Sequence, residues 1–164
     1  MEQARAVLDL LLHSALVPSE DRPEIAALRG EPEVIEFVAA PPRALEATGL
    51  VEVRVTIEPE GAGPLRGIFV ATRPLTPPHA GLARQERTRL LSGLRSASFT
   101  FQSHEATRGR QQRWDGKELP ASVRVQVRRD QDEEPGLMWQ FPLRRSAPAR
   151  CRFDPVAREC LDAT

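Results

Sequence analysis

The sequence predicts an α+β domain, with one N-terminal amphipathic helix packed on antiparallel β-sheets. Three observations lead there. Apolar residues recur with helical spacing over residues 2–17, and from Glu33 onward the spacing changes to two. The strands that follow each show one polar face, the mark of antiparallel rather than doubly buried parallel sheets. Fifteen prolines against ten glycines supply many stiff connections between short elements. At 164 residues the chain fits one ordinary domain.

The helical stretch puts Ala4, Val7, Leu8, Leu11, Leu12, Ala15 and Leu16 on one face, with Gln3, Arg5, Asp9 and His13 mostly opposite. Pro18 ends it, because proline disfavours a helical residue before it and brings no amide donor. A polar connection through Pro23 and a short apolar stretch at residues 25–28 precede the first expected strand, Val34–Val38, which stops before Pro41-Pro42. The clearest strand is 50–58, where Val51, Val53, Val55 and Ile57 alternate with Glu52, Arg54, Thr56 and Glu58. Pro59, Gly61 and Gly63 make a hairpin turn, and residues 65–72 return as its partner. After a Pro/Gly-rich loop over 74–81, residues 94–102 alternate Ala97, Phe99 and Phe101 with Ser98 and Thr100. Val123, Val125 and Val127 then alternate with Arg124, Gln126 and Arg128. Leu137, Trp139, Phe141 and Leu143 form the last strong strand, across the acidic turn 130–136.

Composition narrows the function. The 23 basic and 23 acidic residues cancel, which argues against a dedicated nucleic-acid binder. Lys117 is the only lysine, and the arginines are scattered through every segment, as a genomic bias would leave them. The longest aliphatic cluster, Leu10-Leu11-Leu12, is far short of the roughly 20 residues of a membrane helix. Met1–Arg5 lacks the start of a signal peptide, which leaves open a cytosolic protein or one trimmed of its native N-terminus.

No residue pattern announces catalysis. His13, His79 and His104 have no metal-ligand spacing and are read as surface histidines. There is no Gly-rich phosphate loop and no Gly-x-Ser-x-Gly elbow, so no enzyme activity, catalytic residue, metal or cofactor is expected. The acidic run Asp130, Asp132, Glu133 and Glu134 does not follow the helix–loop–helix calcium pattern and is read as a solvated hairpin tip. Cys151 and Cys160, the only cysteines, are neither a closed zinc set nor a Cys-x-x-Cys redox motif. The reading preferred is a short disulfide-closed loop worth about 2–3 kcal/mol, against two unpaired thiols. A disulfide would put the chain outside the cytosol.

Several segments in order resemble the J-type minor pseudopilin of the bacterial type II secretion system. They are Glu36-Phe37-Val38-Ala39-Ala40, Gly49-Leu50-Val51-Glu52-Val53-Arg54-Val55 and Thr72-Arg73-Pro74-Leu75. Next comes Leu90-Leu91-Ser92-Gly93-Leu94, which leads to Phe99 and Phe101. Trp114 followed by Leu119-Pro120-Ala121-Ser122-Val123-Arg124-Val125 closes the pattern, and the likeness spans residues 34–143. Two departures stand out: no tyrosine occurs in the strands, and the prepilin leader, the glutamate near the mature N-terminus and the hydrophobic stem are absent.

The resemblance implies a pilin-like fold and non-enzymatic work. Residues 1–17 would be the distal part of a stem helix, Met1 an added start, and residues 18–164 a β-rich periplasmic head whose full-length form is anchored in the inner membrane. The implied partners are the I-type and K-type minor pseudopilins in a tip complex that primes pseudopilus assembly and supports export of folded proteins. Contacts to the major pseudopilin and to secreted substrates come with that role; nucleic acid does not.

The stripe Val7, Leu8, Leu11, Leu12 and Leu16 needs a cover, either the chain's own sheet or a partner helix, which makes it the candidate partner interface. Three other readings compete. One is a minor pilin of a type IV pilus. Another is a periplasmic ligand- or glycan-binding β-domain, which requires a concave apolar pocket. The last is an enzyme with Cys151 or Cys160 as nucleophile and His104 as base.

Overall fold

The structure, a computed structural model, describes residues 1–17, 28–40, 50–75, 86–105, 109–116, 118–129 and 136–143, and the backbone of 151–154 and 159–162. Helix α1 (Glu2–His13) is followed by β1 (Arg29–Glu31), β2 (Val34–Ala39), β3 (Val51–Pro59) and β4 (Arg66–Pro74). Then come β5 (Glu86–Gln102), β6 (Arg110–Gln111), β7 (Trp114–Asp115), β8 (Ser122–Arg129) and β9 (Leu137–Pro142). A separate hairpin of β10 (Cys151–Asp154) and β11 (Glu159–Asp162) completes the set.

One antiparallel sheet runs β7-β1-β2-β3-β4-β5-β8-β9, with β6 beside β5. The valines expected to alternate do so: Val51, Val53, Val55 and Ile57 are buried on β3, and Val123, Val125 and Val127 on β8. Strand β5 makes the sheet curl. Its first half pairs with β4 and its second half, from Leu94 on, with β8. The changeover falls at a register shift between Leu94 and Ser96, beside Gly93 at φ +69°. A bulge there bends the strand and raises its twist, and a left-handed backbone favours glycine.

The curl is held by the short strands. β6 pairs with the end of β5 while β7, a few residues on, pairs with β1 at the opposite end of the sheet. The Phe99 amide also donates to the Pro32 carbonyl at 2.8 Å, tying β5 to the β1–β2 turn. The strands therefore form a half-barrel, and α1 supplies Ala4, Leu8, Leu11 and Leu12 to the same core as the inward residues of β2–β5, β8 and β9.

This architecture overturns the expected pilin-like α+β fold. The molecule is mostly β, built on one curled sheet, and its single helix among the described residues is 12 residues long. Periodicity identifies strands but does not say that successive hairpins join edge to edge, and twist accumulated over eight neighbours brings their apolar faces together. A core then exists before any helix is laid on it, and α1 only fills its mouth.

The helix also ends earlier than residue 17. Its apolar rhythm continues through Leu16, yet the Ser14 hydroxyl donates to the Leu11 carbonyl at 2.8 Å, and the chain turns extended. Ala15 bridges Ala39, the Leu16 amide donates to Val38 O at 2.8 Å, and Ala40 N to Ser14 O at 3.2 Å. These bonds cover the stretch of β2 that the three-residue β1 leaves open, and buried backbone groups outweigh one more helical turn.

Candidate functional site

On its outer side the sheet carries charge in cross-strand rows. Registers place Asp115 of β7 opposite Arg29 of β1, Arg29 opposite Glu36 of β2, and Glu36 opposite Arg54 of β3. The signs alternate along the row, and Arg54 Nη1 lies 2.9 Å from Glu36 Oε1. Further along, Arg73 reaches Glu52, Arg66 meets Glu33 at 2.7 Å, and Arg87 pairs with Glu58 while lying over the Phe69 ring at 4.2 Å. Opposite charges on neighbouring strands stabilise the pairing, and two-residue spacing keeps Glu36, Glu52, Arg54, Glu58, Arg73 and Arg87 on the outer face.

A groove of about 940 Å³ opens over this row. Its floor is Gly30, Val34 and Trp114, and its walls carry Arg29, Glu36, Arg54, Arg113, Asp115 and Glu118. Trp114 is positioned by β7 and by its own indole, whose Nε1 donates to the Glu118 carbonyl at 2.6 Å. Among the described residues the groove brings no histidine, cysteine, serine or threonine to its walls, and Asp115, Arg29, Glu36 and Arg54 lie opposite one another across adjacent strands. Because these pairs are solvent-exposed, a double-mutant cycle on Glu36→Gln and Arg54→Gln is expected to give a coupling of about 0.5 kcal/mol in urea unfolding; a coupling above about 2 kcal/mol would show a desolvated pair instead.

The residues singled out in the sequence are dispersed. His13 is exposed on α1, its Nδ1 2.9 Å from the Asp9 carbonyl oxygen and 3.3 Å from the Asp9 carboxylate. His104 is exposed just beyond β5, and His79 lies outside the described residues. The acidic run 130–134 lies outside them too. Among the described residues no group of three or more His, Cys, Asp or Glu side chains is gathered that could hold a metal ion. The side chains of Cys151 and Cys160 are also outside the described set; their backbones lie on the two strands of the terminal hairpin, Cys151 opposite Asp162 and Cys160 opposite Phe153.

The chain's own sheet covers the helix stripe. Leu8, Leu11 and Leu12 are buried in the chain's own core, Val7 packs against it half-buried, and Leu16 is half-buried in the extended segment. Charged substitutions at Leu8 and Leu12 therefore report on folding, and partner contacts are to be sought on other surfaces. Two features escape a sequence reading. The outward Glu and Arg positions are legible from period two, but which glutamate meets which arginine depends on register. The role of Trp114, closing β7 onto β1, depends on a strand of two residues, too short to leave a pattern.

No protein-family model matches the chain, and no curated protein matches it significantly.

Proposed function

We propose that this chain is the globular part of a J-type minor pseudopilin, a non-enzymatic subunit that meets I-type and K-type heads in the tip complex of a type II secretion pseudopilus. The reading rests on motif order, not on a pilin-type architecture. What supports it is that the ordered motifs make one packed unit. They fall on β2, β3, the end of β4, β5, β7 and the approach to β8. The Trp114 piece returns to the aromatic end of β5, with the Trp114 and Phe101 ring centroids 6.5 Å apart. Leu119 is buried in the same core.

The competing ligand-binding reading requires an apolar concavity, and that side of the sheet is occupied by α1. In the pseudopilin reading the full-length protein is anchored in the inner membrane with this part in the periplasm, and it acts by side-by-side contact as folded proteins are exported. The test is co-expression with I-type and K-type heads from the same organism. Co-elution of the three in size-exclusion chromatography is the expected result. Elution of this chain alone, with the two other heads folded and associated, would overturn the assignment.

A further inference from the structure

We propose that the outer edge of β9 is a docking edge, which takes an extended, acidic segment of a partner protein as an added strand. The inference goes beyond the pseudopilin reading, since it concerns which edge of this sheet is open to any partner. Leu143 N donates to Ala121 O at 2.9 Å, so by strand alternation residues 137, 139 and 141 turn their backbone groups toward β8. Met138, Gln140 and Pro142 turn theirs outward, and among the described residues nothing bonds to them. The opposite end of the sheet is the two-residue β7, which offers far less backbone.

Side chains beside this edge specify the occupant. Met138 is 57% exposed, the most accessible large apolar residue of the described set, and Leu137 46%. The outer face shared by the second half of β5, β8 and β9 holds Arg124 and Arg128 among Ser, Thr, Gln and Met, with no carboxylate. Arg95 stands exposed at the β5 bulge beside them. Arg124 donates to Gln102 Oε1 at 3.3 Å but leaves its buried Nε without an acceptor. Among the described residues no ion pair engages Arg95 or Arg128, whereas Arg54, Arg66, Arg73, Arg87 and Arg89 on the β3–β5 side all have glutamates.

A strand added to β9 would lie about 10 Å from β8, which carries Arg124 and Arg128, close enough to be attracted if it carries Asp or Glu. Its backbone would bond to Met138 and Gln140, and an apolar side chain on it would cover Met138, as in peptide recognition by strand addition. A second copy pairing through the same edge would set arginines against arginines, so charge selects a different, acidic chain.

The experiment titrates the full chain with the peptide Asp-Val-Asp-Val-Asp-Val, followed by amide chemical shifts. The largest shifts are expected at Met138 and Gln140, with binding weakened about tenfold when salt rises from about 50 mM to about 500 mM. Gln140→Pro removes an outward amide without touching the β8 ladder, and should weaken binding at least about tenfold while the fold persists. Gln140→Ala keeps that amide and should bind as the parent does. A Lys-Val-Lys-Val-Lys-Val peptide binding equally well would overturn the proposal. So would shifts centred elsewhere, self-association through β9, or slow hydrogen exchange of both amides in the free protein. Peptide binding without I-type and K-type co-elution would sink only the pseudopilin reading; the converse would sink only the docking edge.

Discussion

Leu8→Asp is expected to abolish the folded state, or to cost more than about 4 kcal/mol in urea unfolding, while Leu10→Asp changes stability by less than about 0.5 kcal/mol. The two leucines lie two positions apart on the same helix, yet Leu8 is 1% exposed and Leu10 46%. At position 8 a carboxylate would lose its water inside a core made by α1 and the curled sheet, with no cation to meet it. At position 10 it would stand in solvent. The comparison also decides what the apolar stripe is for. A folded Leu8→Asp protein with an unchanged urea midpoint would show that the stripe does not hold the half-barrel together and is free to serve a partner. Loss of fold by Leu8→Asp, with Leu10→Asp intact, would place it in the core.

Gly30→Ala should have the next largest effect. A Cβ built on Gly30 comes within 2.0 Å of Phe101 Cζ, 2.5 Å of Cε1 and 2.9 Å of Cε2. Phe101 is fully buried and has Trp114 on another side, so the ring cannot swing away without disturbing the closure of the curl. Overpacking of this kind costs about 3 kcal/mol, which in a domain of this size lowers Tm by about 5–10 °C. Phe101→Leu is destabilising by itself, but in the double variant its smaller side chain should recover part of the Gly30→Ala loss, a coupling that independent sites would not show. If Gly30→Ala melts with the parent, the ring does not press on β1 as described.

The glycine illustrates why part of the fold was legible and part was not. The strands over 34–38, 50–58, 65–72 and 137–143 are written in local alternation, because a pleat sends successive side chains to opposite faces and only one face is buried. Strand β5 was half legible. From Leu94 on the alternation is plain, but over 86–93 the charged start Glu86-Arg87-Thr88-Arg89 hides a strand whose outward arginines are paired with Glu58 and Glu60 of the β3 side. Strands β1, β6 and β7 have three or two residues each and carry no period at all. They exist because the curl brings open backbone to them.

The candidate surfaces follow the same division. That glutamates and arginines would line an outer face was readable from period two; the row Asp115, Arg29, Glu36, Arg54 was not, since it needs three registers at once. The helix stripe was visible as a stripe, with the sheet and a partner helix both possible covers.

By itself the sequence determined where most of the longer strands run, that one amphipathic helix precedes them, and that charge is balanced overall. Those properties are set by neighbours along the chain, through pleat, helical turn and proline geometry. Only the tertiary structure decided that the strands join in one sheet, that the sheet curls onto α1, and that among the described residues β9 ends the sheet. Those outcomes depend on accumulated twist, on the bulge at Gly93 and on the contact between Gly30 and Phe101, residues 71 positions apart that meet only once the sheet has closed on itself.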